Sequence, residues 1–324
     1  SGILLYGISL LYGATGSTRL PAIAAAIAGR SLDDPLLLAA TVLLAVGFGF
    51  KLAVVPFHMW TPDVYQGAPT SVTAFMAVAS KAASFGAFLR VFVEGLGSLK
   101  ANWSAIFLLL CIATLVLGNI VALVQTNIKR MLAYSSIAHA GYALIGVVAA
   151  GVAGTQTGEA NGITAVMLYL ALYAFMTFVA FTIVAMLRKG GLDGDEIEDF
   201  SGLAARHPLA ALLMLVFMVS LAGIPPTAGF IGKFYVFMAA VEAGLTWLAV
   251  LALVFAAVSA YYYLRIIMVM YMREPAQLTA ASPRLIMSPA LSIVLACAVA
   301  GVVFFGLYPS PLVNLARHAV LTFK

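Results

Sequence analysis

The chain has 324 residues, 64% of them hydrophobic and only 9% charged, against roughly 25% charged in a soluble globular domain. With a mean hydropathy of +1.08, a soluble fold, a disordered chain and a secreted disulfide scaffold are excluded. At roughly 20 apolar residues per bilayer crossing, this length allows about nine or ten helices and almost no extramembrane domain.

The net charge is +5, but the cations are scattered singly, so no nucleic-acid patch forms. Cys111 and Cys297 stand in separate apolar runs, outside any CxxC pattern. With four dispersed histidines, nothing indicates a structural disulfide, a zinc or iron–sulfur site, or a haem. The opening Ser1-Gly2-Ile3-Leu4-Leu5 has neither Met nor a basic flank, so the chain is expected to begin inside a helix of a longer protein.

In chain order, apolar segments cover about 3–13, 36–56, 70–93, 103–124, 131–151, 162–187, 209–239, 246–272 and 286–307. Most are long enough to span with some tilt. The linkers are short and marked by Gly, Pro, Asp and Asn. The longest hydrophilic stretch, Arg188 to His207 with Asp193, Asp195, Glu196, Glu198 and Asp199, is a solvated loop. Period-two alternation is absent, so helices rather than a β-barrel satisfy the backbone in lipid.

Alternating sides, Lys129, Arg130, Arg188, Lys189, Arg206, Arg273 and Arg284 fall on one face; Arg19, Arg30, Arg90, Lys100, Arg317 and Lys324 fall on the other. This is a slight bias for the first face as cytoplasmic.

Two segments are not ordinary spans. The second carries Pro56, Pro62 and Pro69 soon after Lys51, and the seventh carries Pro225, Pro226, Gly229 and Gly232 at its middle. Proline removes a backbone donor and breaks the helical ladder. Within a membrane that is tolerated where the freed groups face protein or water. Both segments are therefore expected to be discontinuous helices lining a polar cavity, the pattern of internally repeated transporters.

Lys51, Lys81 and Lys233 lie within apolar segments, where an ionised lysine costs roughly 2.5–3.5 kcal/mol. Desolvation disfavours the charged form of a lysine, which brings proton gain and loss within reach. Snorkelling of the long stem to the interface is the plainer account. His58 follows Lys51 beyond Pro56, and His139 has Ser135, Ser136 and Tyr142 within helical reach; an imidazole can relay protons through its two nitrogens. Lys129 and Arg130 mark a helix junction, Asp63 an ion pair or cap, and Arg265 a lining cation or ion-pair partner. The Tyr261-Tyr262-Tyr263 run reads equally as packing or as a path. No nucleotide-binding or metal-ligand motif is present.

Three stretches, GFGFKLAVVPFHMWTPDVYQGAPTSVTAF, NIKRMLAYSSIAHAGYALIG and LAGIPPTAGFIGKFYVF, resemble the antiporter-like subunits of respiratory complex I. The resemblance runs over essentially the whole chain. The WTPDVYQGAP form and Lys233 point to the N branch; the M branch has a glutamate at that position, and the L branch and the multisubunit cation/proton antiporters have different flanks.

The resemblance implies an all-α polytopic membrane protein of about nine helices, the second part of helix 6 to helix 14 of a fourteen-helix fold with inverted repeats. Residues 1–94 would be the remainder of the first repeat, 95–273 the second repeat, and 274–324 the last helix and tail. Lys51 matches the lysine of discontinuous helix 7, Lys81 that of helix 8, and Lys233 that of discontinuous helix 12. His58 and His139 match histidines of the central axis, and Lys129 a further family position. The family's helix 5 glutamate, partner of the helix 7 lysine, would precede Ser1.

The implied activity is proton translocation coupled to quinone reduction elsewhere. NADH, FMN, iron–sulfur clusters and quinone are expected in other subunits, and no cofactor or metal in this chain. The implied partners are subunit M, subunit K, the lateral helix of subunit L and the lipid bilayer, with no nucleic acid. A bacterial plasma membrane is expected rather than a mitochondrial inner membrane. Alternative readings are a subunit of a multisubunit Na⁺/H⁺ antiporter or membrane-bound hydrogenase, a non-conducting structural subunit, and a quinone-contacting chain.

Overall fold

The computed structural model describes residues 1–29, 34–153, 161–189, 195–274 and 289–321. Arg30, Asp193, Arg284 and Lys324 of the charge pattern lie outside the described residues. Among the described residues there are helices, turns and one isolated β-bridge, between Asn127 and Glu196.

α1 (Gly2–Thr15) ends on Gly16, whose φ of 71° supplies the left-handed turn of a helix C-terminus. α2 (Leu20–Ala28), with Pro21 in its first turn, is a short helix that the hydropathy pattern did not mark. α3 (Pro35–Leu52) starts on Asp34, whose carboxylate accepts the Leu36 N–H at 2.9 Å. It stops at Ala53, a left-handed alanine with φ 61°, and the chain becomes helical again as α4 (Trp60–Gly67).

α5 (Thr70–Phe75) and α6 (Lys81–Leu89) belong to one span, Thr70–Gly95, which also holds two π-helical stretches, Met76–Ser80 and Arg90–Gly95. α7 (Lys100–Leu123), α8 (Ile128–Ala153) and α9 (Gly162–Lys189) are uninterrupted. The short α10 (Leu203–Arg206) leads to α11 (Pro208–Ala222), which breaks at Gly223 (φ 86°) and resumes as α12 (Ala228–Glu242). α13 (Thr246–Met272) is a full span. α14 (Pro289–Leu307) turns by 85° into α15 (Ser310–Leu321), with Tyr308 and Pro309 at the corner.

Among the described residues six helices are long and apolar enough to cross a membrane, and the bent pair α14–α15 makes up to seven. The remainder of the nine expected segments are α1, with 14 residues, and the broken pair α11–α12, with 15 in each half. Neither half of that pair reaches the roughly 20 residues of a full crossing, so the pair crosses only as a unit.

The two broken helices run in opposite directions. Beyond its break, the α3–α4 pair ends at the face where Arg130 holds Asp63 at 2.7 Å and Gln66 at 3.0 Å. The α11–α12 pair starts from that same face. There the Ile128 N–H bonds Asp195, and Arg206 holds the Asp199 and Ser201 carbonyls. Arg273, at the end of α13, pairs with Glu198 on this face too.

α8 is the central strut. It carries apolar residues on every side, and 89% of its spanning window is buried, against 33% for α13. Small residues let its neighbours approach closely. A Cβ on Gly118 of α7 would lie 2.8 Å from the Ala138 nitrogen, and one on Gly146 would lie 2.8 Å from the Gly162 carbonyl of α9. The tightest approach is at the second break, where a Cβ on Gly229 would sit 1.7 Å from the Ser220 carbonyl. An apolar cavity of about 360 Å³ lies between α9 and α14, lined by Val78, Phe175, Phe178, Ile293, Val294 and Cys297 among others.

Candidate proton-transfer site

α8 presents Ser135, Ser136, His139 and Tyr142 to its neighbours, His139 lying three or four residues from each of the others along the buried surface. On one side stands Lys81, buried to 4% exposure. Its ammonium donates to the Ser136 carbonyl and to the Ser136 hydroxyl, both at 2.6 Å. Lys81 directly follows the π-helical stretch Met76–Ser80, the kind of local widening that re-aims side chains at functional positions.

On the other side stands Lys233 of α12, also 4% exposed. It donates to the Ala222 carbonyl at 2.7 Å, the Leu221 carbonyl at 3.2 Å and the Ser259 hydroxyl at 3.4 Å. Those carbonyls end α11, where the ladder leaves them without helical partners and the helix dipole favours a cation. The break thus creates the site for Lys233. Neither Lys81 nor Lys233 is paired with a carboxylate among the described residues.

Between the lysines lies His139. Its Nδ1 meets the Tyr169 hydroxyl at 2.5 Å and its Nε2 the Tyr263 hydroxyl at 3.1 Å. Tyr263 also meets the Ser135 hydroxyl. A neutral imidazole has one donor and one acceptor nitrogen, so one tyrosine donates to His139 while the other accepts from it.

Two further tyrosines fill the spaces on either side of His139. The Tyr173 ring centre is 4.8 Å from that of His139 and 6.0 Å from Lys81 Nζ. The Tyr142 ring centre is 6.0 Å from that of His139 and 5.1 Å from Lys233 Nζ. Both hydroxyls are buried and without a hydrogen-bond partner among the described residues, a state that costs about 1–3 kcal/mol per group.

The other residues singled out from sequence lie elsewhere. Lys51 falls in the last turn of α3, because the helix ends at Leu52, and it is exposed on a side of α3 that no described residue covers. That differs from the buried position expected of it. His58 is buried at 5% exposure inside the first break, and its Nδ1 lacks a hydrogen-bond partner among the described residues. Lys129 is buried at the polar face, donating to the Ala68 carbonyl at 3.1 Å and pairing with Asp195 at 3.6 Å. It stands ten residues, about 15 Å of helix, before His139. Arg265 holds the Leu123 and Gln125 carbonyls beyond α7.

Of the tyrosine run, Tyr261 faces outward, while Tyr262 and Tyr263 are buried. Tyr169, Tyr173 and Ser259 were not picked out from the sequence. The available signal was Tyr169 and Tyr173 at i and i+4 in an otherwise apolar span.

Two broken helices running in opposite directions and a row of buried Lys and His between them define an antiporter-like membrane subunit. The chain belongs to the NADH:quinone oxidoreductase/Mrp antiporter transmembrane family, whose model matches residues 1–260. Within that family it is similar to N subunits. It is 51% identical over 319 residues to NADH-quinone oxidoreductase subunit N 2 of Rhizobium meliloti (strain 1021), covering 98% of this chain and 64% of the relative. It is 47% identical over 323 residues to NADH-quinone oxidoreductase subunit N of Desulforamulus reducens, covering 100% and 65%. The chain thus spans just under two thirds of the length of these relatives.

Among solved structures, respiratory complex I from Thermus thermophilus with bound aureothin matches with a TM-score of 0.77 at 39% identity, over 97% of this chain and 65% of that one. The membrane-bound sulfane sulfur reductase, an archaeal respiratory membrane complex, matches with a TM-score of 0.83 at 28% identity, over 98% and 62%.

Proposed function

We propose that this chain is part of a proton-translocating membrane-arm subunit of an NADH:quinone oxidoreductase. The observation that carries the reading is the row Lys81, His139 and Lys233, buried at mid-fold with no carboxylate partner among the described residues. An intramembrane cation costs roughly 2.5–3.5 kcal/mol. Two such costs, with a histidine bonded through both nitrogens between them, suit proton exchange better than packing. The identity to N subunits supports this reading over an antiporter or hydrogenase subunit.

In this reading the chain carries no redox centre. NADH, FMN, iron–sulfur clusters and quinone belong to other subunits, and energy released there biases the charge state of the buried row. Lys81, Lys233 and His139 exchange the proton. Lys51, in the last turn of α3, and His58, in the first break, are the proton-transfer lysine and relay histidine of the first repeat, and Lys129 anchors the polar face. Residues 1–94 complete a first inverted repeat and 95–273 form the second, followed by 274–324. The opposite directions of α3–α4 and α11–α12 support that division. Subunits M and K and the lateral helix of subunit L are its neighbours, in a bacterial plasma membrane.

The test is Lys233→Ala in the full-length subunit within its native complex. NADH:quinone turnover and proton uptake into sealed vesicles are measured, with assembly checked on a native gel. Turnover and uptake should fall together while assembly holds. Wild-type rates for both would reject the reading.

A further inference from the structure

Among the described residues, the hydrogen bonds around the buried row form three separate groups. Lys81 is bonded to Ser136. His139 is bonded to Tyr169 and Tyr263. Lys233 is bonded to Ser259 and the end of α11. No bond joins one group to the next among the described residues, so a proton has two gaps to cross.

Each gap holds one tyrosine. Tyr173 lies between Lys81 and His139, and Tyr142 between His139 and Lys233, at the ring distances given above. These two carry the tyrosine hydroxyls that are buried without a hydrogen-bond partner among the described residues. The neighbouring phenols of Tyr169, Tyr262 and Tyr263 are all bonded. Polar side chains surround both unpartnered groups: Ser136 and Thr177 for Tyr173, Asn119 and Ser259 for Tyr142. Buried polar groups are as a rule hydrogen-bonded, and a polar site with several such neighbours suits an ordered water molecule.

We propose that Tyr173 and Tyr142 are the two bridging residues of the path, each carrying the proton across one gap beside His139 together with a bound water. This rests on the proton-translocating reading above. In each step an O–H bond forms on the phenol oxygen from one side as the original O–H bond breaks toward the other. The tyrosine is returned unchanged, with no electron exchanged. The two gaps are alike in construction, with a cation on one side of the tyrosine and the imidazole on the other, so His139 is the midpoint of a symmetrical relay.

A purely structural role makes the opposite prediction. Because neither hydroxyl has a hydrogen-bond partner among the described residues, Tyr→Phe keeps the ring and breaks no bond to them, which leaves folding close to unchanged. Tyr262→Phe is the control. The Tyr262 hydroxyl donates to the Asn119 side chain at 3.1 Å, and its loss should lower stability while leaving both relay hydroxyls in place.

The experiment places Tyr142→Phe, Tyr173→Phe, Tyr262→Phe, Lys81→Ala and Lys233→Ala in the full-length subunit of the assembled complex. It measures assembly, thermal stability, coupled turnover, proton uptake and the deuterium solvent isotope effect on turnover. The expected result is wild-type assembly for Tyr142→Phe and Tyr173→Phe, with proton uptake and coupled turnover reduced on the order of tenfold or more and a raised isotope effect. Tyr262→Phe should keep its rates and lose stability.

Wild-type uptake in both relay variants, alongside impaired lysine variants, overturns this inference alone. Wild-type uptake in the lysine variants as well overturns the parent reading. Failed assembly of the relay variants, or an equal loss in Tyr262→Phe, assigns these hydroxyls a structural role and also overturns the inference.

Discussion

The Lys233 ammonium reaches back across the break in its own helix pair to the Ala222 carbonyl, 2.7 Å away. The residue between these carbonyls and the rest of the break is Gly223, with φ 86°. A Cβ there would lie 2.8 Å from Lys233 Cδ. The same glycine therefore makes the turn and leaves room for the lysine stem.

Gly223→Ala is accordingly expected to act twice. The left-handed backbone costs an alanine roughly 1–2 kcal/mol, and the added methyl pushes Lys233 off the α11 carbonyls. Proton uptake should fall in the assembled complex together with its melting temperature. A melt shift without an uptake defect would show that Lys233 tolerates displacement.

Ser136 supports Lys81 by two groups, and substitution removes only one. Ser136→Ala deletes the hydroxyl and leaves the carbonyl, so about 1.5–3 kcal/mol of a charge-assisted hydrogen bond is lost. Coupled turnover should fall less than in Lys81→Ala. Equal losses in the two variants would make the hydroxyl itself part of the path.

Lys129 is expected to serve stability rather than conduction. Its contacts are the Ala68 carbonyl and Asp195, which tie α8 to the end of α4 and to the segment before α10. Lys129→Gln should cost about 1.5–3 kcal/mol of stability and keep the number of protons taken up per quinone reduced. A changed ratio at normal stability would place Lys129 on the path.

His207, at the start of α11, gives the polar face a pH dependence. Burial, and then the neighbouring Arg206 cation, hold its pKa below the usual 6.5. The unfolded chain therefore binds more protons in the window just below that value, and stability rises with pH across it. The contribution is fully present above 6.5 and is lost as pH falls through the folded value. In His207→Gln the acid side of the melting profile should flatten; an unchanged profile would remove His207 from the pH response.

The sequence made the breaks legible because proline and glycine act locally. Pro56, Pro225 and Pro226 interrupt helices that the flanking apolar runs require, and the interruptions lie at Ala53 and Gly223. Lys81, Lys233 and His139 were legible because charge and imidazole stand out against apolar neighbours. Tyr169 and Tyr173 were not, since a tyrosine in an apolar span packs equally well as an interface anchor or as a core ring. The exposure of Lys51 depends on where α3 stops relative to its neighbours, which is a tertiary fact. The short α2 and the right-angle corner into α15 were missed because both fall below the length that a hydropathy reading detects.

The sequence contains two cysteines, and their surroundings differ sharply. Cys111 is buried with its thiol toward the Gly141 carbonyl, while Cys297 is exposed beside the apolar cavity between α9 and α14. Of the two thiols, Cys297 alone is accessible, on α14. A lipid-soluble maleimide carrying a fluorophore or spin label at Cys297 would therefore test whether α14 moves against α9.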